Sequence, residues 1–263
     1  MAQERFERYE KKYRISLDQY QELMSRMITR LTPDRYGKYM ISNVYLDTPD
    51  YRMIRRSLGK PAYKEKIRLR SYGVPEKGDP VFLELKKKYQ GVVYKRRAEM
   101  TFEEARKYLY YGIRPERSGQ ILNEIEYACD FYKARPMAYV AYERIAFSGK
   151  EDPELRVTFD MDIRARSDCP ELDRGTWGTP LLGADELLME VKIPGAMPLW
   201  MSRLFSQLQI YPTSYSKYGT YYQKCLAGKI GTMELESQEM EQENLIPENP
   251  DRRQRQGREK VCA

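Results

Sequence analysis

The sequence predicts an α+β fold in which an antiparallel β-barrel of about eight strands has helices packed around its outside. Two observations support this prediction. Roughly six or seven segments alternate apolar and charged residues with the period of two that is typical of a β-strand, and lysine and arginine dominate their charged positions. Segments with helical periodicity lie between these strands. If helices cover the apolar side of the sheet, the charged side must line the inside of the barrel.

The strands are expected where short alternating segments are bounded by glycine, proline or asparagine. In chain order the expected strands are 5–14, 41–49, 62–72, 81–88, 92–100, 137–147, 154–165 and 187–193. The turn between the third and fourth strands is rich in glycine and proline, which predicts a hairpin. Residues that share the charged phase of these strands include Glu10, Lys12, Lys66, Arg68, Arg70, Glu84, Lys86, Lys88, Lys95, Arg97, Tyr142, Arg144, Arg156, Asp160, Glu190 and Lys192.

The helices are expected where apolar residues recur at intervals of three and four positions. Ser16 with Gln19 and Thr101 with Glu104 form capping boxes that mark two helix starts. The first helix follows Ser16 and is expected to end at Pro33. Further helices are expected at 51–58, 101–111, 116–133, 199–210 and 214–227, and 169–179 is expected to be a loop.

The composition limits the chemistry that the chain can perform. Its 263 residues, 41% of them hydrophobic, can bury one main core without disulfides. A formal net charge of +7 favours an anionic partner, which leaves nucleic acid, a membrane surface and phosphorylated small molecules open. The absence of histidine removes the commonest general base and most zinc sites. Any chemistry must therefore use carboxylates, lysine, arginine, tyrosine or a hard metal ion.

One domain is expected over residues 1–228, because the composition changes at Lys229. Residues 234–248 are acidic and 251–260 are mixed but basic, which predicts a disordered charged tail over 229–263. The four cysteines form no Cys-x-x-Cys pair, as expected of reduced thiols. The N-terminus is polar, and no apolar run approaches the length of about 18 residues that would span a membrane. We therefore expect a soluble cytoplasmic protein.

A lumen lined by lysine and arginine needs an anionic ligand, because like charges repel and buried charges lose hydration. Phosphate chains meet this need, since each phosphoryl group offers several acceptors to arginine and lysine. The in-phase carboxylates Glu10, Glu84 and Glu190 can pair with neighbouring lysines or hold a divalent cation. Two other interpretations stay open on the pattern alone. The charged face can be an ordinary solvated sheet face, or an open sheet that binds nucleic acid, although the latter needs interleaved aromatic residues, of which Tyr142 is the clearest.

Several motifs resemble the triphosphate tunnel metalloenzyme superfamily, and most closely the catalytic domain of the vacuolar transporter chaperone (VTC) polyphosphate polymerases. The resemblance covers roughly residues 5–226 and rests on the order and spacing of many motifs. These are Glu10-Lys11-Lys12-Tyr13, Tyr45-Leu46-Asp47-Thr48, Lys66-Ile67-Arg68-Leu69-Arg70, Phe82-Leu83-Glu84-Leu85-Lys86, Tyr142-Glu143-Arg144, Met189-Glu190-Val191-Lys192 and Ser214-Tyr215-Ser216-Lys217-Tyr218.

The resemblance implies a set of phosphate-binding residues inside a tunnel. The basic residues that match are Lys12, Arg68, Arg70, Lys86, Lys95, Arg144, Arg156 and Lys217, and Tyr142 and Ser216 match further phosphate-contacting positions. Glu190 matches the family's metal-binding glutamate, which implies Mn²⁺ or Mg²⁺, with Glu10 and Glu84 as further metal candidates. Lys88, Arg97 and Lys192 share the charged face, and Lys88 falls where related sequences carry another polar residue.

The function that the resemblance implies is transfer of the γ-phosphoryl of ATP to inorganic polyphosphate. The hydrolase and cyclase branches of the superfamily that this chain resembles carry a Glu-x-Glu-x-Lys pattern in the first strand, whereas this chain has Arg8-x-Glu10-x-Lys12. Loss of one carboxylate weakens a site that must position a metal-activated water, which favours transfer. A triphosphatase and a non-catalytic polyphosphate-binding module stay open as alternatives. The family's eukaryotic polymerases sit in membrane complexes, so a separate membrane partner is expected to dock at the 229–263 tail.

Overall fold

The computed structural model describes residues 8–90, 92–116 and 119–228. The chain divides into two compact units, 1–222 and 223–263. The first unit contains the sheet and almost all of the helices, whereas the second is described only over 223–228. The predicted disordered tail, and the membrane partner expected to dock on it, lie outside the described residues. Within the described residues, no helix is long and apolar enough to span a bilayer.

The elements alternate between strands and short helices. The strands are β1 (Arg8–Ser16), β2 (Leu31–Asp47), β3 (Tyr63–Tyr72), β4 (Pro80–Tyr89), β5 (Val92–Thr101), β6 (Arg135–Gly149), β7 (Arg156–Arg166), β8 (Thr179–Pro180), β9 (Glu186–Pro194) and β10 (Pro212–Thr213). The helices are α1 (Leu17–Met27), α2 (Arg52–Leu58), α3 (Phe102–Tyr111), α4 (Gln120–Tyr132), α5 (Leu199–Gln207) and α6 (Lys217–Tyr221), with a 3₁₀ turn at Ile28–Arg30 and a π-helical turn at Tyr222–Leu226.

The strands form one antiparallel sheet with the order β10-β1-β9-β7-β6-β2-β3-β4-β5, and β8 pairs with β7. This confirms the predicted α+β tunnel architecture. Among the described residues the ladder ends at β5 and at β10, so the sheet curls around its inner side without closing by hydrogen bonds. The curl is evident because charged side chains on strands that are far apart in the sheet order lie near each other in space. The ammonium group of Lys192 on β9 is an electrostatic neighbour of Lys86 on β4, and Lys66 on β3 is a neighbour of Lys12 on β1.

Two apolar cores lie on the outer side of the sheet, where the helices pack. In the first, Leu23 and Met27 of α1 and Met201 of α5 pack on β1, β7 and β9. In the second, Leu122 and Ile125 of α4, with residues of α2 and α3, pack on β2 to β6. Because side chains alternate along each strand, residues adjacent to these core positions point to the inner side of the sheet.

The two predicted capping boxes are confirmed. Ser16 and Gln19 exchange hydrogen bonds at the start of α1, and Thr101 and Glu104 do so at the start of α3. Each box satisfies backbone N–H groups that have no partner within the helix. The short side chain of Ser16 or Thr101 thus fixes the residue at which the chain changes from strand to helix.

The predicted end of the first helix is wrong. The helix stops at Met27 and the 3₁₀ turn at Arg30, while Pro33 lies inside β2 opposite Phe147. A proline is accepted there because the register between β2 and β6 shifts immediately after Pro33, and such irregular pairing does not need every N–H donor. The last two helices are also shorter than expected, because α5 ends at Gln207 and residues before Lys217 are not helical.

A buried aspartate joins the end of β2 to the helices beside it. Asp47 is fully buried, and its Oδ atoms accept hydrogen bonds from the N–H groups of Thr48, Met53 and Ile54 and from the Tyr218 hydroxyl. Burial raises the pKa of Asp47, and the N–H donors oppose that effect. The carboxylate therefore fixes α2 and α6 relative to the sheet.

Replacing Asp47 with alanine should lower the free energy of unfolding by about 3 kcal/mol or more, because several buried donors would lose their acceptor. Chemical denaturation measures this change. Asp50→Ala is the matched control, since Asp50 is exposed and contacts Arg55 and Thr48 at the surface, and it should cost less than about 1 kcal/mol. Equal stability of the two variants would contradict the role assigned to Asp47.

Candidate functional site

The inner side of the sheet carries a dense set of charged side chains, here called the inner face. Strand alternation and register place on it Lys12 of β1, Lys66, Arg68 and Arg70 of β3, Glu84, Lys86 and Lys88 of β4, Lys95 and Arg97 of β5, Tyr142 and Arg144 of β6, Arg156 and Asp160 of β7, and Glu190 and Lys192 of β9. Ser216 and Lys217, at the start of α6, complete the set. Lysine and arginine outnumber the carboxylates.

Glu84 is the centre of one ion-pair cluster on the inner face. Only 2% of its surface is exposed. Its Oε2 lies 2.7 Å from Arg68 and 4.0 Å from Arg70, and its Oε1 lies 2.7 Å from Lys95 and also pairs with Arg97. Burial alone would raise the pKa of Glu84, but Arg68, Arg70 and Lys95 outweigh it and hold that pKa well below the ordinary carboxyl range. Both oxygens are thus committed to cations, which makes Glu84 a counter-ion.

A second cluster contains Glu190 and Asp160. Arg144 makes a two-point contact with Asp160, with distances of 2.6 and 2.8 Å, and lies 3.4 Å from Glu190. Lys217 lies 2.5 Å from Asp160 and 3.2 Å from Glu190, and Lys12 lies 3.1 Å from Glu190. Burial would raise the pKa of Glu190, but Lys217, Lys12 and Arg144 lower it strongly. Glu190 is therefore ionised, and its cationic contacts are longer than those of Asp160.

Tyr142 lies beneath the cations of this second cluster. Its ring centroid is 4.4 Å from the Lys217 ammonium and 5.2 Å from the Arg144 guanidinium, which is cation–π geometry. Burial would raise the pKa of Tyr142, but Arg144, Arg70 and Lys217 lower it. Tyr142 therefore supports the orientation of two cations.

Ser216 connects the start of α6 to β3. Its hydroxyl oxygen caps the helix by accepting a hydrogen bond from the Gly219 N–H, and the Lys66 ammonium donates to the same oxygen at 2.9 Å. Next to this contact, Tyr45 receives a hydrogen bond from Arg68 at 3.4 Å and stacks on Tyr218. The α6 start thus becomes part of the inner face.

Several inner-face cations have no carboxylate within 4.0 Å among the residues that the structure describes. They are Lys66, Lys86, Lys88, Arg156 and Lys192. Lys66 lies directly opposite Lys86, and Lys86 directly opposite Lys95, on neighbouring strands. Like charges in such positions destabilise a sheet. This part of the inner face is therefore complementary to an anion.

Lys66 is the clearest example of an uncompensated cation. Burial lowers the pKa of Lys66 to about 8; Tyr45 opposes this shift, whereas Lys12, Lys64 and Lys86 add to it. Burial likewise lowers the pKa of Lys192, against the opposing effect of Glu10. A bound anion would raise the pKa of both side chains.

The donor set for a divalent cation is small. Within 8–90, 92–116 and 119–228, no group of three or more aspartate, glutamate or cysteine side chains is arranged to hold a metal. Glu10 lies on the same edge of the inner face, with its carboxylate 3.6 Å from Lys12. Mg²⁺ and ions like it are commonly held by one or two carboxylates together with substrate phosphates and water. Glu190 fits that arrangement, whereas Glu84, with four cations around it, does not.

The structure brings the 13 predicted phosphate-binding residues onto one surface, on which Lys86, Lys88, Lys95 and Arg156 are exposed. The phosphate-binding residues predicted from the sequence did not include Lys66, Asp160 or Tyr45. The period-two alternation of the strands could have identified Lys66 and Asp160, because Lys66 is in phase with Arg68 and Asp160 is in phase with Arg156. The role of Tyr45 has no such signal, because it depends on stacking with Tyr218 from a distant part of the chain.

Solved structures with the same fold support this architecture. The chain is similar to a protein from Bacillus halodurans provisionally described as an adenylate cyclase, with 13% identity and a TM-score of 0.51 over 79% of this chain and 92% of that one. It is also similar to a Hippeastrum protein, provisionally an adenylyl cyclase with a dominant triphosphatase activity, with 15% identity and a TM-score of 0.50 over 81% and 94% of the two chains. At these identities the likeness shows the fold alone.

The curled antiparallel sheet with its cation-lined inner face has the fold of these two proteins. Residues 7–226 match the VTC domain family, and the chain belongs to that family. A comparison with curated proteins found no match. The family match ends close to the last described residues, and it includes every residue of the inner face.

Replacing Glu84 with glutamine should lower the free energy of unfolding by about 3 kcal/mol, because four cations would lose a buried counter-charge. Added tripolyphosphate should recover more stability in this variant than in the wild type. Denaturation with and without tripolyphosphate measures both effects. Glu124→Gln is the control, since Glu124 is exposed and pairs with Arg96 on the outer side, and it should leave stability unchanged. A wild-type stability for Glu84→Gln would contradict the counter-ion role.

Tripolyphosphate affinity should fall as pH rises above about 8, because Lys66 then loses its proton in the free protein. A bound anion raises the pKa of Lys66, so binding above this pH requires Lys66 to take up a proton. Titration calorimetry between pH 7 and 9.5 at constant ionic strength, with pH values chosen around the Lys66 pKa of about 8, measures the slope. Lys66→Arg should flatten the slope, whereas Lys87→Arg, on the outer side, should keep it. Because tripolyphosphate titrates in the same way in all three experiments, its own protonation cancels when the slopes of the variants are compared. Identical slopes in all three proteins would refute the prediction.

Proposed function

We propose that this VTC-domain protein is a polyphosphate polymerase, which transfers the γ-phosphoryl group of ATP to a growing polyphosphate chain on the inner face and releases ADP. The observation that carries the proposal is the set of cations without carboxylate partners beside two ion-pair clusters in which cations already outnumber carboxylates. A chain of phosphates supplies one negative charge or more per repeat across the whole set. Membership of the VTC domain family and the tunnel fold support the same substrate class.

The reaction suits a site without histidine. A terminal phosphate oxygen of the acceptor attacks the γ-phosphorus of ATP, and the bond from that phosphorus to the β-bridging oxygen breaks, so ADP leaves with the electron pair. Because the acceptor oxygen is already deprotonated near neutral pH, no general base has to remove a proton. Catalysis then depends mainly on positioning and on stabilising negative charge.

The two clusters divide these tasks. Arg68 and Arg70 are held in place by Glu84, so their guanidinium groups present donors at fixed positions without losing much entropy on binding. Arg144 and Lys217 are held in the same way by Asp160. The uncompensated lysines between the clusters bind the phosphates that the fixed arginines do not reach. A bound phosphate chain therefore meets a preorganised surface.

Mn²⁺ or Mg²⁺ is proposed to bind at Glu190 together with phosphate oxygens. When bound, the ion supplies Lewis-acid stabilisation of charge on the transferring phosphoryl group. Glu190 would hold the ion in place of its contacts with Lys12 and Lys217, and Lys217 would keep its contact with Asp160. The longer cationic contacts of Glu190, compared with those of Asp160, favour Glu190 for this exchange.

A triphosphatase is the second candidate. The similar Hippeastrum protein has a dominant triphosphatase activity, and the same inner face can bind tripolyphosphate. Hydrolysis, however, needs a group that positions and activates water. The first strand has Glu10 but has Arg8 where the hydrolase-type pattern has a second glutamate, and Glu10 is already paired with Lys12. This difference favours transfer to phosphate over transfer to water.

With ATP and Mn²⁺, the wild-type protein should produce long phosphate chains that are resolved on a gel. Lys12→Ala should reduce chain synthesis by about tenfold or more, because Lys12 reaches the inner face beside Glu190. Lys11→Ala is the matched control, since the adjacent side chain points to the other side of β1, and it should retain wild-type synthesis.

Free phosphate without chains would reject the polymerase in favour of the triphosphatase. Binding of polyphosphate without turnover in the presence of any divalent metal would indicate a non-catalytic module. In that case the double variant Arg68→Ala, Arg70→Ala should still abolish binding, because both candidates use the same inner face.

A further inference from the structure

A cavity lies on the outer side of the sheet, apart from the inner face. It has a volume of about 210 Å³ and is formed between α2, the beginning of β3 and the end of α4. Its lining, here called the outer cleft, consists of Arg52, Met53, Arg56, Tyr63, Lys64, Glu65, Phe131 and Tyr132. Strand alternation points Tyr63 and Glu65 away from Arg68 and Arg70, whereas Lys64 is in phase with the inner face and borders the cleft from that side. The proposed reaction does not use these residues.

The outer cleft presents two arginines on one helical face. Arg52 and Arg56 are four positions apart in α2, so their side chains project in the same direction. Neither guanidinium forms an ion pair within the part of the chain that the structure describes, whereas Arg55 on another face of α2 pairs with Asp50. Lys64 adds a third cation at the edge of the cleft, and its ammonium donates a hydrogen bond to the Ser57 carbonyl at 3.4 Å. The cleft therefore has free donors for an anion.

The floor of the outer cleft is already charge-balanced. Glu65 is buried, accepts a hydrogen bond from the Tyr63 hydroxyl, and lies 3.5 Å from Lys87. Burial and a hydrogen bond to Glu65 raise the pKa of Tyr132 to about 12, so this second phenol also stays protonated. With Glu65 held by these donors, Arg52 and Arg56 are not needed as its counter-ions.

The wall opposite the arginines is aromatic. Phe131 is 66% exposed, although it packs edge-on against Tyr132 and stacks on Tyr127. An aromatic ring stacks on the planar base of a nucleotide, whereas an inorganic phosphate gains nothing from it. The volume is smaller than the roughly 300 Å³ at which typical small-molecule pockets begin, which suits a compact ligand.

We propose that the outer cleft is a nucleotide site separate from the inner face. A phosphate binds the guanidinium groups of Arg52 and Arg56, and the base packs on Phe131 between α2 and α4. Arginine forks match phosphate oxygens in pairs, and the i, i+4 spacing presents two forks to one phosphate group. The site binds AMP more tightly than it binds either adenosine or inorganic phosphate, because only AMP engages both walls.

Titration calorimetry with AMP on the full chain tests this site. The double variant Arg52→Ala, Arg56→Ala should weaken AMP binding by about tenfold or more, and Arg55→Ala should leave it unchanged. Phe131→Ala should weaken AMP binding but not the binding of inorganic phosphate. All of these residues are exposed, so the variants should fold, and a thermal melt checks that they do.

A tunnel variant separates this inference from the proposed reaction. Lys86→Ala, Lys192→Ala should weaken tripolyphosphate binding and leave AMP binding at the wild-type level. Loss of AMP binding in that variant, with retention in Arg52→Ala, Arg56→Ala, would place AMP on the inner face and overturn the proposal. Absence of AMP binding by the wild type would also overturn it, and would leave the polymerase proposal unaffected.

Discussion

The rest of the structure depends on the way in which three buried carboxylates offset the cations of the inner face. Glu84, Asp160 and Glu190 are each surrounded by arginine or lysine, and each would be costly to bury alone. Together they allow a sheet to turn its basic side inward while helices cover its apolar side. Because the carboxylates are fewer than the cations, the compensation is incomplete. In the proposed function, this deficit of carboxylates selects a polyanion.

The positions of the inner-face cations that lack a carboxylate partner matter more than the net charge of the chain. The inner-face arginines Arg68, Arg70 and Arg144 are fixed by carboxylates, whereas Lys66, Lys86 and Lys192 have no carboxylate within 4.0 Å among the described residues. Burial lowers the pKa of Lys66 and of Lys192. A ligand with closely spaced negative charges relieves this effect of burial across the whole set, whereas an isolated anion relieves it at one position. In this account, substrate selection and catalytic preorganisation come from the same imbalance.

Much of this architecture is visible in the sequence, because it follows from local rules. Alternation placed Arg68, Arg70 and Lys86 on one face, and the capping boxes at Ser16 and Thr101 marked two helix starts correctly. Pro33 was misread because its position in β2 depends on irregular pairing with a strand more than 100 residues away. Contacts made by α6 are equally non-local, since Lys217 meets Asp160 and Tyr218 meets Asp47 only after the sheet has curled. The outer cleft also needs tertiary packing, because α2 and α4 are distant in sequence.

The most direct test of the central claim is a crystal structure of the protein with tripolyphosphate and Mn²⁺. The account predicts phosphates along the inner face in contact with Lys66, Arg68 and Arg144, a metal at Glu190, and unchanged pairing of Glu84 and Asp160 with their arginines. Phosphates bound only outside the sheet, or an inner face in which Lys66 and Lys86 make no contact with the ligand, would contradict it.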